Sequence, residues 1–176
     1  MSDNIRVVNA PLVIEYEQID KRYDEFKKEY DSLSEYEEDS IGQWLKLAKA
    51  KGETKESDEV LLTLMVELHR KVDELTSLIK NEEKEYLKLN NLQRIQSIGY
   101  EHFKLEKEEL KIDKEYYGRI LMPVFPKREI PLFFKAVAKN MAEIYLMHEK
   151  DTKDWSAYVV ARERVMIREM KKRKNV

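Results

Sequence analysis

The sequence predicts an α+β protein: a small antiparallel β-barrel in the C-terminal half, N-terminal helices, one long projecting coiled-coil helix and a closing C-terminal helix. Three observations predict it. Six apolar residues, Leu61, Met65, Leu68, Val72, Leu75 and Ile79, fall at 4-3-4-3-4 spacing. That stripe holds a period of 3.5, the period of a helix–helix seam rather than of a lone amphipathic helix. Beyond Asn91 the pattern breaks into short apolar runs punctuated by Gly99, Gly118, Pro123 and Pro126, as a chain of short strands requires. Helical periodicity then returns from Trp155 to Lys172. Strands segregated from a long helix define α+β.

Taken in order, Pro11–Glu17 reads as a strand because Leu12, Ile14 and Tyr16 alternate with other residues. Gln18 to about Ser32 reads as a charged helix with Ile19, Tyr23, Phe26 and Tyr30 on one face. Ser40 caps a short helix carrying Ile41, Trp44, Leu45, Leu47 and Ala48. The polar stretch 51–55 around Gly52 is a linker. Ser57 is the expected N-cap of the long helix, with Asp58 and Glu59 favoured in the first turn by the helix dipole. That helix is expected to reach about Leu89 and to span on the order of 45–50 Å at 1.5 Å per residue. Leu62, Leu64, Val66 and Leu78 widen its apolar face, which suits a higher-order bundle or packing of one flank on the chain's own body.

Arg94–Phe103 reads as one strand with Gly99 as a bulge or bend, and 116–124 as another. Leu132–Lys139 and Met141–Met147 read as a hairpin turning at Asn140. Asp154 is the expected cap of the terminal helix. The expected division is 1–56 for the N-terminal strand and helices, packed on or contributing to the barrel, 57–90 for the oligomerisation helix, and 91–176 for the barrel and last helix.

Composition narrows the function classes. Charged residues make up 39% of the 176, yet the formal net charge is −2, so long-range electrostatics do not call for nucleic acid or a membrane surface. With no cysteine there is no disulfide, thiolate metal site or cysteine nucleophile. The four glycines, Gly42, Gly52, Gly99 and Gly118, are scattered, and a phosphate-cradling loop needs them clustered. No apolar run is long enough to insert into a membrane, and the first ten residues have no signal-peptide core. A cytoplasmic location is expected.

The segment Arg94-Ile-Gln-Ser-Ile-Gly-Tyr-Glu-His-Phe103, the run Gly118-Arg-Ile-Leu-Met-Pro-Val124, the hairpin 132–147 and Asp154-Trp-Ser-Ala-Tyr158 follow the heptad helix in a distinctive order. This layout resembles the PilZ family, most of all its atypical branch with a long heptad helix. The likeness covers roughly residues 57–172. It implies a barrel followed by a helix, oligomerisation through the heptad seam, and a place in cyclic di-GMP signalling of bacteria. The family's nucleotide-binding members carry an RxxxR segment ahead of the barrel and a (D/N)xSxxG turn. Here that turn is replaced by Arg94, Gln96 and Gly99, of which only the glycine matches, and residues 80–91 contain no arginine. Arg164 and Arg168 have the spacing, but they lie on the terminal helix. The resemblance therefore implies a PilZ-like scaffold or adaptor without the standard nucleotide site, of the kind linked to motility or pilus regulation.

No constellation points to catalysis, which needs paired groups of tuned pKa in a pocket. His69 flanks the seam, His102 lies in a strand, and His148-Glu149 with Asp151 reads as a turn rather than a metal site. Ser97 has no nucleophile elbow around it. The basic run Arg162, Arg164, Arg168 and 171–174 complements a helix C-terminus and is diluted by Glu163 and Glu169. Adjacent Phe133 and Phe134 must point to opposite faces of their strand. The apolar stretch 122–126 is a candidate binding edge.

The expectation is thus a non-enzymatic homo-oligomer, dimer to tetramer through Leu61, Met65, Leu68, Val72, Leu75 and Ile79, with a protein partner, no cofactor and no metal. A rival reading keeps cyclic di-GMP or a similar nucleotide on Arg94, Gln96, Gly99, Arg119 and Arg128, because guanidinium groups pair with phosphate and stack on purines. A third makes the chain a coiled-coil adaptor or chaperone whose β part is a clamp.

Overall fold

The computed structural model describes residues 6–34, 40–80, 86–123 and 128–174. Six strands close into an antiparallel barrel in the order β1-β2-β3-β6-β5-β4. They are β1 (Val8–Gln18), β2 (Asn91–Ile98), β3 (His102–Leu105), β4 (Glu115–Met122), β5 (Arg128–Ala136) and β6 (Met141–Met147). Among the described residues the helices are α1 (Tyr23–Ser34), α2 (Ser40–Lys51), α3 (Glu59–Ile79) and α4 (Glu149–Lys174). The chain forms two compact units, one of residues 1–30 with 88–176, the other of residues 31–87.

In the first unit, strict alternation on β1 sends Val8, Ala10, Leu12, Ile14 and Tyr16 inward and leaves Asn9, Pro11, Val13 and Glu15 exposed. β1 bridges β2 on one side and β4 on the other, with Tyr16 opposite both Asn91 and Gly118. The first strand in sequence is therefore what joins the ends of the sheet. Its register slips between Asn9 and Leu12, at Pro11, which has no N–H for a ladder. Inside, Ile95, Phe103, Ile120, Leu132 and Phe134 meet the β1 side chains. Phe134 stands edge-on to Tyr16 and Phe103 and stacks on Tyr116. Trp155 and Val159 of α4 join the same core.

The two phenylalanines divide as the pleat requires. Phe134 is inside, while Phe133 points outward and is covered by Tyr23 and Tyr30 of α1. Phe26 stacks on Tyr117 beside them. The outer face of β4 and β5 is thus a second apolar layer, roofed by the first two turns of α1.

In the second unit α2 and α3 touch. α2 ends at Gly52, whose φ of +78° is the left-handed conformation that glycine adopts at a helix end. Asp58, rather than Ser57, caps α3 by accepting from the N–H groups of Val60 and Leu61.

Several boundaries differ from those the sequence suggests. α3 ends at Ile79 with Lys80 as its cap, and residues 86–89 are not helical. It is about 31 Å long at 1.5 Å per residue, not 45–50 Å. Residues 81–85 lie outside the described residues. Segment 94–103 is two strands, not one, folded at Gly99-Tyr100-Glu101. α4 starts at Glu149, so Asp154 lies within it instead of capping it. The helix expected from Gln18 starts only at Tyr23, because β1 runs on to Gln18.

Candidate interaction surface

An α-helix turns by 100° per residue, and on that wheel nine apolar residues of α3 fall within an arc of about 140°. They are Val60, Leu61, Leu64, Met65, Leu68, Val72, Leu75, Leu78 and Ile79, and every one is exposed. The six seam residues among them are between 54% and 76% exposed. The opposite flank behaves differently: Val66 is buried, and Leu62, Glu67 and Arg70 are half-buried. Arg70 and Glu67 pair there at 2.7 Å. Within its unit α3 therefore has one packed flank and, among the described residues, a second apolar face that is exposed. On α2, Trp44 and Leu47 are exposed as well. Monomeric proteins rarely leave apolar side chains contiguous over such a length, and a stripe of this kind marks an interaction site.

The residues of the rival nucleotide reading are spread over β2, the β2–β3 turn, β4 and β5. Arg94 and Gln96 are exposed on the outer face of β2. Gly99 is buried at the β2–β3 turn, where a Cβ would sit 2.7 Å from the carbonyl oxygen of Arg6. Its own carbonyl accepts from Trp155 Nε1 at 2.9 Å. This glycine is held by close backbone approach. Arg128 lies between Asp151 at 2.6 Å and Asp154 at 2.5 Å.

Arg119 is the centre of a network the sequence reading missed. Its Nη1 donates to Glu29 at 2.6 Å and its Nη2 to Glu15 at 2.6 Å. Glu129 approaches Nε at 3.2 Å without the alignment of a hydrogen bond. Tyr117 donates its hydroxyl to the same Glu29 oxygen at 2.7 Å. Burial works against the guanidinium charge, but hydrogen bonds to Glu29 and Glu15 outweigh it and raise the Arg119 pKa. Burial and then Glu29 push Tyr117 far up. A signal was present in the sequence: a single arginine inside the strand run Tyr116-Tyr-Gly-Arg-Ile-Leu-Met122 must find acid partners if it is buried.

The histidines are placed separately. His69 sits 3.1 Å from Asp73 on exposed helix surface. His102 lies opposite Glu143. His148 stacks on Tyr30 at 3.8 Å, and its Nε2 lies 2.8 Å from the Tyr30 carbonyl oxygen. Asp151 belongs to Arg128, and no group of three metal-ligating side chains occurs among the described residues. Val124, Phe125 and Pro126 of the candidate apolar edge lie outside the described residues, and Met122 is buried.

One open cleft of about 430 Å³ lies at a barrel end, lined by Tyr16, Glu17, Asp20, Asn91, Glu109 and Tyr116 among others. Several of its polar groups already have partners. Gln93 donates to the Tyr16 hydroxyl at 2.8 Å and to Glu109 at 2.5 Å, while the Tyr116 hydroxyl accepts from the Lys111 N–H at 2.8 Å. Burial, with Glu109, pushes Tyr16 up to about 12, so its phenol stays protonated at neutral pH and is no base there. Among the described residues no helix is long and apolar enough to cross a membrane. No family model, curated protein or solved structure matches this chain.

Proposed function

We propose that the protein is a non-enzymatic, PilZ-like scaffold that self-associates through α3. The observation that carries this reading is the exposed seam: Leu61, Met65, Leu68, Val72, Leu75 and Ile79 are all more than half exposed while the opposite flank of the same helix is occupied. Apolar surface on that scale is stabilised by a partner, and a heptad period selects another helix as that partner. Oligomerisation displays several barrels at once, so a weakly binding barrel face gains affinity through multivalency.

The engagement of Arg119 by three glutamates and of Arg128 by two aspartates supports a barrel that does not use these arginines for cyclic di-GMP. The closed antiparallel barrel with a helix packed into its core is compatible with the PilZ likeness. The direct test is the mass of the native chain in solution by light scattering across a concentration series. A dimer or larger species is expected; a monomer at all concentrations removes the reading.

A further inference from the structure

From the phase of the seam we infer that α3 pairs with α3 of a second copy in a parallel, in-register, two-stranded coiled coil. This rests on the self-association proposed above and gives it a partner geometry.

The spacing fixes the heptad letters. An a position is followed by d three residues later, and d by the next a four residues later. The step from Leu61 to Met65 is four residues and from Met65 to Leu68 three. Met65, Val72 and Ile79 are therefore a, and Leu61, Leu68 and Leu75 are d. Two of the three a residues are β-branched and every d residue is leucine. That combination selects two parallel strands, because in-register layers point a β-branched a and a leucine d into their holes in favourable rotamers. Leucine at a with isoleucine at d, which selects larger bundles, is absent from the seam.

The flanks agree. Leu64, Lys71 and Leu78 occupy g, and Leu62, His69 and Thr76 occupy e. A parallel pair sets each g against the e of the next heptad on the other strand. Lys71 then faces Thr76 of the second copy and Leu64 faces His69, with no like charges opposed. An antiparallel pair that uses the whole seam sets Leu61 against Ile79 and Met65 against Leu75. It then faces g with g and e with e, so Lys71 meets Lys71 and His69 meets His69 at the middle of the seam. Leu62, the apolar e residue, is half-buried within the chain's own structure, which leaves the e flank polar where it is exposed.

The chain has no cysteine, so single cysteines report the pairing in the full-length protein. Leu61→Cys and Ile79→Cys are each prepared, alone and mixed, then oxidised mildly and run without reductant alongside light scattering of the native chain. Both positions are exposed, so neither change disturbs the barrel core. Glu74→Cys, on exposed surface at c, is the control for random collision. The expected result is a native dimer in which L61C and I79C each cross-link to themselves, moving most chains to twice the 21.2 kDa mass, while E74C does not. A native dimer in which L61C and I79C cross-link only to each other overturns the parallel pairing and leaves self-association standing. A native mass of four chains overturns the two-stranded state. A native monomer overturns self-association and the pairing together.

Discussion

Arg119 Nη1 stands 2.6 Å from Glu29 Oε1, and that contact joins the outer face of β4 to α1. Both side chains are more than nine-tenths buried. A buried ion pair contributes little net stability when it forms, because desolvation offsets the attraction, yet removing one partner strands the others. Arg119→Met leaves Glu15, Glu29 and Glu129 facing one another without a cation. The expected loss is about 3–5 kcal/mol, read from urea unfolding at neutral pH. Tyr117→Phe removes one hydrogen bond to Glu29 and is expected to cost about 1 kcal/mol. If Arg119→Met unfolds at the native midpoint, the network is not what holds α1 on the barrel.

Glu129 carries a second consequence. Burial raises its pKa, with Glu15 and Glu29 adding to the effect and Arg119 opposing it. Burial likewise raises Asp151 against the pull of Arg128. A carboxyl whose folded pKa exceeds its unfolded value binds more protons in the native state between the two values. Stability therefore falls as pH rises through that window, and the cost is fully present above the folded pKa. Glu129→Gln keeps the shape and removes the titration. Plotting urea midpoints from mildly acid to neutral pH should show a shallower decline for E129Q than for the native chain. A steeper decline, or a large loss of midpoint at neutral pH, would mean that the Glu129 charge stabilises the fold.

Much of the fold was legible because it is written in local periods. The alternation Leu12, Ile14, Tyr16, the hairpin around Asn140 and the division of Phe133 from Phe134 follow from the pleat alone. The errors have equally local causes. The turn Gly99-Tyr100-Glu101 carries a single glycine and no proline, so two strands read as one. Residues 80–89 are rich in lysine, glutamate and leucine, which have high helix propensity, but propensity is a weak guide to where a helix stops, and α3 ends at Ile79. That Arg119 needs acid partners could be read from its strand, but that Glu29 is one of them could not, because Glu29 lies 90 residues away in sequence. Which side of the seam would be covered was also beyond pattern, since it depends on where Val66 packs.

Trp155 ties α4 to the β2–β3 turn through Nε1 and the Gly99 carbonyl, and it is 1% exposed. Trp44, the other tryptophan, is 56% exposed. Trp155→Phe leaves the Gly99 carbonyl without that donor and opens a small void. We expect it to cost about 1–3 kcal/mol. The pair also makes a spectroscopic test. Trp44→Phe should leave blue, acrylamide-resistant emission from Trp155. Trp155→Phe should leave red, readily quenched emission from Trp44. Blue emission in the second variant would show that Trp44 is covered in solution.

A calorimetric titration with cyclic di-GMP, at low and moderate salt, should give no binding heat. Arg119 and Arg128 are committed to acid partners, and withdrawing either would strand buried carboxylates. Arg94 alone is exposed, on β2 opposite Val13 of β1, and Arg119 lies on the far side of that strand. Saturable binding that Arg94→Ala abolishes would restore the nucleotide-sensing reading and displace the scaffold as the chain's main role.

Leu68→Glu combined with Leu75→Glu places two carboxylates at adjacent d layers of the seam. Each leucine is more than half exposed, so neither change costs buried apolar contacts within the chain. The barrel should fold as before. In an assembled seam the same carboxylates would be desolvated opposite their own copies, which association cannot offset. Light scattering should therefore report monomers for the double variant and a larger species for the native chain. Melting should separate them too. Association stabilises by mass action, so the native midpoint should rise with protein concentration and that of the variant should not. A double variant that keeps the native mass would place the assembly interface elsewhere, and the exposed stripe on α3 would then belong to a different partner.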